Sequence, residues 1–227
     1  MAETALVFGA SGALGQAVVA RFMGLGIAVA RGSRSARTES GWLDTSVDGW
    51  ASSLEGADVT RVVWAQGANA SGSVLDESVN DLEGLFQANV VYVVQTLQNL
   101  LERDLLSDSA RLCIVSSIWQ NIARDNKLAY VTTKAAVGGL VRSLAADLGP
   151  RGIAVNAVLP GVVDSPMTRQ FVSTEVLSRI EHETPLRRLV RADEVANVVE
   201  WLTGPGSSGV TGQSLVVDQG WSEIRYV

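Results

Sequence analysis

A glycine-rich turn, Gly9-Ala10-Ser11-Gly12-Ala13-Leu14-Gly15, constrains this chain more than any other segment. It follows an apolar run, Ala5-Leu6-Val7-Phe8, and leads into a stretch with apolar residues at Leu14, Val18, Phe22 and Leu25. The run reads as a buried strand and residues 14–25 as an amphipathic helix. Glycine permits so tight a connection and lets the backbone approach a pyrophosphate. The helix start adds unpaired N–H groups and a partial positive charge. Strand, glycine turn and helix together predict the opening unit of a dinucleotide-binding sheet.

The rest of the chain repeats that alternation. Strands are expected at 4–8, 27–31, 41–43, 59–64, 111–116, 152–158 and 214–217, and helices at 14–25, 48–55, 76–103, 127–148, 169–181 and 192–203. Short apolar strands separated by helices imply a parallel sheet covered on both faces. Right-handed crossovers make it doubly wound, an α/β Rossmann fold with ligands at the carboxyl ends of the strands. No repeat or linker interrupts the 227 residues, so a single domain is expected.

A second constellation carries chemistry. Tyr130 and Lys134 stand four apart in the 127–148 segment, one turn apart on one helix face. An ammonium beside a phenol is expected to lower the phenol's pKa by stabilising the phenolate. Ser117 ends an apolar strand thirteen residues before the tyrosine, and its hydroxyl can hold a carbonyl or alcohol oxygen. The three groups can move a proton on and off that oxygen.

With these motifs the chain resembles the short-chain dehydrogenase/reductase family from Thr4 to Gly220. Further matches are Asn89 in Phe86-Gln87-Ala88-Asn89-Val90, the pair Ser116-Ser117, Asn156-Ala157-Val158-Leu159-Pro160-Gly161, Val210-Thr211-Gly212-Gln213 and Val217-Asp218-Gln219-Gly220. The resemblance implies an oxidoreductase that interconverts a secondary alcohol and a ketone. Tyr130 would be the general acid and base, and Ser117 would orient the substrate oxygen. Lys134 would hold the nicotinamide ribose, and Asn89 would place a water beside it. Gly67, Pro160, Gly161, Val163 and Ser165 would face the cofactor, Ser165 in place of a threonine that bonds the carboxamide. Asp44 would contact adenine, unless it is an ordinary turn aspartate. Trp119 lines the substrate pocket or packs in the core. Residues 165–190 correspond to a substrate lid, or to a fixed packed helix.

Cofactor choice follows from charge. An NAD site places a carboxylate about twenty residues past the glycine turn. Here the second strand ends Ala30-Arg31-Gly32-Ser33-Arg34, with no acidic residue before Glu39. An arginine can bind a 2′-phosphate bidentately. Ser33 and Arg34, with Arg37 as a second contact, therefore favour NADP(H) over NAD(H), the alternative being that these arginines are solvated loop charges.

Three departures from the family pattern stand out. Ala13 takes a usual glycine position, Trp64-Ala65-Gln66-Gly67 replaces an Asn-Asn-Ala-Gly segment, and the second crossover, from Arg34 to Asp58, is short. Trp64 must therefore pack differently from the asparagine it replaces.

A net charge of −6 argues against a nucleic-acid partner, and no apolar stretch is long enough to span a membrane. The chain begins without a leader pattern, and its one cysteine, Cys113, lies in an apolar strand; a cytoplasmic protein is expected. His182 is the only histidine and lacks partners at ligand spacing, so no metal site is expected. Apolar residues on several faces of the two long helices (Leu85, Val90, Val94, Leu97, Val137, Leu140) point to a homodimer or homotetramer. The segment from Gly220 to Val227, with Trp221 and Tyr226, reaches a neighbouring subunit or folds over its own pocket.

Two other functions compete. A 3-oxoacyl-thioester reductase would want a basic patch for an acidic carrier, with Arg187, Arg188 and Arg191 as candidates. A non-catalytic dinucleotide-binding regulator would be favoured by loss of Ser117, Tyr130 or Lys134, and all three are present.

Overall fold

The computed structural model describes residues 3–35 and 40–224. Arg37, Glu39 and Tyr226, which figure in the expectations above, lie outside them. All seven expected strands form: β1 (Glu3–Phe8), β2 (Ala28–Ser33), β3 (Trp42–Asp44), β4 (Asp58–Trp64), β5 (Leu106–Val115), β6 (Ala154–Pro160) and β7 (Ser214–Val217). They make one parallel sheet in the order β3-β2-β1-β4-β5-β6-β7. The order reverses direction beside β1, and that switch point is where a doubly wound sheet binds ligands.

Helices cover both faces. Helices α1 (Ala13–Gly24) and α7 (Ala192–Thr203) bury Val18, Phe22, Val195 and Val199 against Ala5, Val7, Val63 and Cys113. On the other face α3 (Tyr92–Glu102) and α4 (Leu128–Leu148) bury Val93, Leu97, Val137 and Val141 against Leu6, Phe8, Val62 and Leu112. Burial pushes the Cys113 thiol up to about 12, as its apolar strand implies.

Three helical expectations change. The segment 76–103 is broken: α2 (Val79–Phe86) runs into a π-helical turn, Gln87–Val91, before α3. Segment 48–55 is a 3-10 turn, Trp50–Leu54, entered through Gly49 at φ 76°, because the trimmed crossover leaves no length for a longer helix. Segment 169–181 splits into α5 (Pro166–Phe171) and α6 (Thr174–Glu183), with Ser173 capping the second through Val176 N–H.

The surplus apolar surface expected on the long helices is mostly internal. Leu85, Val90, Leu97 and Val137 are buried in this chain's own core, and only Val94 and Leu140 stay half-buried. The two-sided pattern reflects helices wedged between sheet and neighbouring helices.

Near the chain's end, charges pair closely. Glu194, in the first turn of α7, accepts from Arg188 Nη2 at 2.6 Å and from Arg191 N–H at 2.9 Å. The Arg188 hydrogen bond is the main cause that pulls its carboxyl down to about 2. A carboxyl held low when folded adds stability above its ordinary value of 4.5 and loses it as pH falls toward 2. Discounted for solvent screening, Glu194→Gln is expected to cost about 1–2 kcal/mol at neutral pH and much less near pH 2–3. Urea midpoints at the two pH values check this, and an equal loss at both would contradict it.

Candidate active site

The glycine turn has two positions that only glycine fits. Gly9 sits at φ 72°, and a Cβ there would lie 2.5 Å from the Gln66 backbone nitrogen. A Cβ on Gly15 would lie 2.2 Å from the Gly9 carbonyl oxygen. Gly12 has room for a side chain and serves as the N-cap of α1 without any side-chain cap. That end of α1 keeps its N–H groups for an anion. Ala13 opens the helix, so the missing glycine leaves the turn intact. Ser11 accepts at its carbonyl from Gln16 Nε2 at 2.9 Å, which fixes the turn, and Leu14 packs on the α1–α7 core.

Ser117 follows β5 and caps a short 3-10 turn, Ile118–Gln120. Tyr130 stands beside Ser117 on the first turn of α4, and Lys134 lies one turn on. The Lys134 Nζ stands 5.7 Å from the Tyr130 ring centroid and donates to the Val115 carbonyl at 3.4 Å. The expected lowering of the phenol is reversed in this structure. Burial pushes Tyr130 above its ordinary value, and the Ser117 hydroxyl beside it only partly offsets this. The same burial brings Lys134 down to about 8. Desolvation of the buried phenol outweighs the nearby ammonium.

Asn89 lies inside the π-helical turn. Its Oδ1 accepts from Ala68 N–H at 2.8 Å, and its Nδ2 donates to the Ala68 carbonyl and to Thr133 Oγ1, each at 3.0 Å. The widened turn aims this side chain at the loop after β4 while the helix continues on both sides. A Cβ on Gly67 would lie 3.3 Å from Asn89 Oδ1 and 3.6 Å from Lys134 Nζ.

Lys127 was missed by the sequence reading. Its Nζ donates to Asn69 Oδ1, Ala70 O and Ser71 Oγ at 2.8–2.9 Å and sits 5.8 Å from the Tyr130 ring centroid. It clamps the loop after β4 to the helix that carries Tyr130. A lysine three residues before the tyrosine was the available signal.

On the far side, Pro160 ends β6 and Gly161 turns against Asp218, where a Cβ would lie 2.7 Å from the Asp218 Cβ. Val163 bridges to Val190. The Ser165 hydroxyl caps α5, accepting from Thr168 N–H at 3.1 Å. Trp119 is half-buried and meets Trp221 edge-to-face at 5.8 Å, while Trp221 Nε1 donates to Glu183 of α6. Trp221 thus folds back over its own chain. Ser33 is buried at the end of β2, its Oγ 3.1 Å from that of Ser35, while Arg34 is exposed with its guanidinium 5.9 Å over the Tyr92 ring. Asp44 accepts from the Ser46 N–H and hydroxyl, which hold its carboxyl low. These contacts hold Asp44 at the turn after β3. The three arginines considered for a basic patch are engaged. Arg188 pairs with Glu194, Arg191 with Asp193 at 3.0 Å, and Arg187 donates to the His182 carbonyl.

A parallel sheet with a glycine cradle at its switch point and Ser117, Tyr130 and Lys134 at the neighbouring strand ends defines a dinucleotide-binding protein of the doubly wound class. A family model described as enoyl-(acyl carrier protein) reductase matches residues 38–222. The uncharacterized oxidoreductase YmfI of Bacillus subtilis is 33% identical over 163 residues, 72% of this chain and 67% of that one. The 3-oxoacyl-[acyl-carrier-protein] reductase FabG of Aquifex aeolicus is 33% identical over 143 residues, 63% of this chain and 57% of that one. Among solved structures, the ligand-free aldohexose dehydrogenase of Thermoplasma acidophilum superposes with a TM-score of 0.87 at 27% identity, covering 100% of this chain and 96% of that one. The chain belongs to the short-chain dehydrogenase/reductase family, whose members are oxidoreductases that use NAD(P)(H).

Proposed function

We propose that this protein is an NADP(H)-dependent carbonyl reductase/alcohol dehydrogenase acting on a small neutral ketone or secondary alcohol. The observation that carries the reading is the convergence of three groups: Tyr130 beside Ser117, and Lys134 Nζ 5.7 Å from the Tyr130 ring centroid and bonded to the Val115 carbonyl at the end of β5. The fit to a dinucleotide rests on the cradle at Gly9 and Gly15, which a side chain would fill, and on the uncapped start of α1. Gly9, Ser11, Gly12, Ala13, Leu14 and Gly15 would hold the pyrophosphate. Ser33 and Arg34 would face the 2′-phosphate, and Gly67, Pro160, Gly161, Val163 and Ser165 the nicotinamide half. Asp44 would lie toward the adenine. Bound cofactor supplies or accepts the hydride.

The chain's own groups handle the oxygen and its proton. Ser117 donates to the substrate oxygen and orients it. Tyr130 delivers a proton to that oxygen as negative charge builds, and takes one in the reverse direction. A phenol that burial keeps protonated through the neutral range suits the donating role. Lys134 holds the ribose hydroxyls and stabilises the phenolate left behind. Asn89, tied to Ala68 and Thr133, holds the backbone beside Lys134, where a water would link the site to solvent. Trp119 and Trp221 supply an aromatic wall, and residues 165–190 act as the lid. Several apolar side chains of the lid, Met167, Phe171 and Leu186, are exposed.

A 3-oxoacyl thioester is the second reading, favoured by the likeness to the Aquifex aeolicus reductase. The carboxylates already paired with Arg188 and Arg191 leave little free positive charge for an acidic carrier. We place the protein in the cytoplasm as a homodimer or homotetramer, joined through the α2–α4 face where Phe86, Val94 and Leu140 remain accessible. Among the described residues no helix is long and apolar enough to cross a membrane.

The discriminating experiment is NADPH oxidation with cyclic ketones, hydroxyketones and 3-oxoacyl thioesters compared as kcat/KM. The reading expects simple neutral ketones to lead. A thioester preferred by about a hundredfold, a difference of nearly 3 kcal/mol in transition-state binding, would replace it with the second.

A further inference from the structure

A cleft of about 270 Å3 opens at the β2–β3 edge of the sheet, apart from the groups assigned above except Ser11. It is lined by Ala10 and Ser11 of the glycine turn, Gln16 and Met23 of α1, Arg31 of β2 and Trp42 of β3, among others. A charged residue within a parallel strand normally needs a carboxylate. Among the described residues Arg31 makes no ion pair. Its contacts are soft: Nη2 donates to Met23 Sδ at 3.4 Å, and the guanidinium lies 5.8 Å over the Trp42 ring. Its Nε is buried and has no hydrogen-bond partner among the described residues.

We propose that Arg31 is a second cation for the 2′-phosphate of NADP(H), reached through this cleft and acting beside Arg34. The inference rests on the NADP(H) reading and extends it to a residue inside the strand. A phosphate monoester brings the acceptor oxygens that the guanidinium lacks. A thioether is a weak acceptor, so giving it up costs little. The Trp42 ring holds the guanidinium plane. Ala10 and Ser11 line the same cleft, so this cation borders the turn that would carry the pyrophosphate. Arg34 turns instead toward Tyr92 of α3, which packs on the other face of the sheet. NADH carries no 2′-phosphate, so Arg31 adds nothing to its binding.

Calorimetric titration with NADPH and with NADH tests this without turnover. Arg31→Met is expected to weaken NADPH about 10-fold or more and to leave NADH within about 2-fold, with Arg31→Lys between wild type and Arg31→Met. Unchanged NADPH affinity in Arg31→Met overturns the proposal, and so do equal losses for both cofactors, which would assign Arg31 to packing alone. Arg31→Lys keeps the stem against Met23 and Trp42 and so separates charge from packing should the methionine variant fold poorly. A wild type that prefers NADPH while Arg31→Met is unchanged overturns this proposal and leaves the cofactor reading standing. A wild type that prefers NADH overturns both.

Discussion

Tyr130→Phe is expected to lower kcat for carbonyl reduction by about 10²–10⁴-fold while cofactor affinity and thermal stability stay near wild type. The variant removes one oxygen and leaves the ring between Lys127 and Lys134, each within 6 Å of its centroid. Without the phenol, charge building on the substrate oxygen meets only the Ser117 hydroxyl, which can donate a hydrogen bond but has no ammonium beside it. The proposed cofactor contacts lie mainly on the glycine turn and the strand ends, so binding is expected to survive. Steady-state kinetics beside a cofactor titration separate the two effects. A tenfold loss or less would show that another group moves the proton.

The largest expected effect on stability comes from Trp64→Ala, about 3–5 kcal/mol. Trp64 ends β4 with no solvent exposure. Its ring stacks on Phe8 with centroids 5.6 Å apart and planes 14° from parallel. Its Nε1 donates to Thr96 Oγ1 at 2.9 Å. Phe8 also meets Trp50 and Tyr92 edge-on, so one aromatic cluster joins β1 and β4 to α3 beneath the glycine turn. Removing the indole opens a cavity there and deletes one hydrogen bond, while Thr96 Oγ1 still donates to the Tyr92 carbonyl at 2.7 Å. Trp64→Phe, which refills much of the volume, is expected to recover more than half of the loss. Urea denaturation measures both, and a Trp64→Ala cost under about 1 kcal/mol would mean that the cluster relaxes around the gap.

This cluster also shows what was legible beforehand. The sequence marked Trp64 as a departure that must pack in its own way, but the partners Phe8 and Thr96 are distant in the chain and only folding brings them together. The strands were readable because fully buried parallel strands are short, nearly unbroken apolar runs, as in residues 5–8 and Ala154–Pro160. The start of β5 was not readable: Ser107, Asp108 and Ser109 are polar and carry no strand signal, although pairing begins at Leu106. The π-turn at Gln87–Val91 was hidden because its residues suit an ordinary helix. The widened backbone carries Asn89 into hydrogen bonds with Ala68 and Thr133, partners distant in the chain. Ser117, Tyr130 and Lys134 were singled out by their spacing only together with the glycine turn at the start of the chain, and the fold brings the three side by side. The raised phenol was not, since desolvation depends on which atoms close over the hydroxyl.

NADPH oxidation followed in the presence of a ketone panel, with Tyr130→Phe in parallel, is the most direct test of the central claim. The account predicts cofactor oxidation matched by alcohol formation in the wild type and nearly lost in the variant. Wild-type protein that binds NADPH but oxidises it with no ketone, aldehyde or 3-oxoacyl thioester would contradict it.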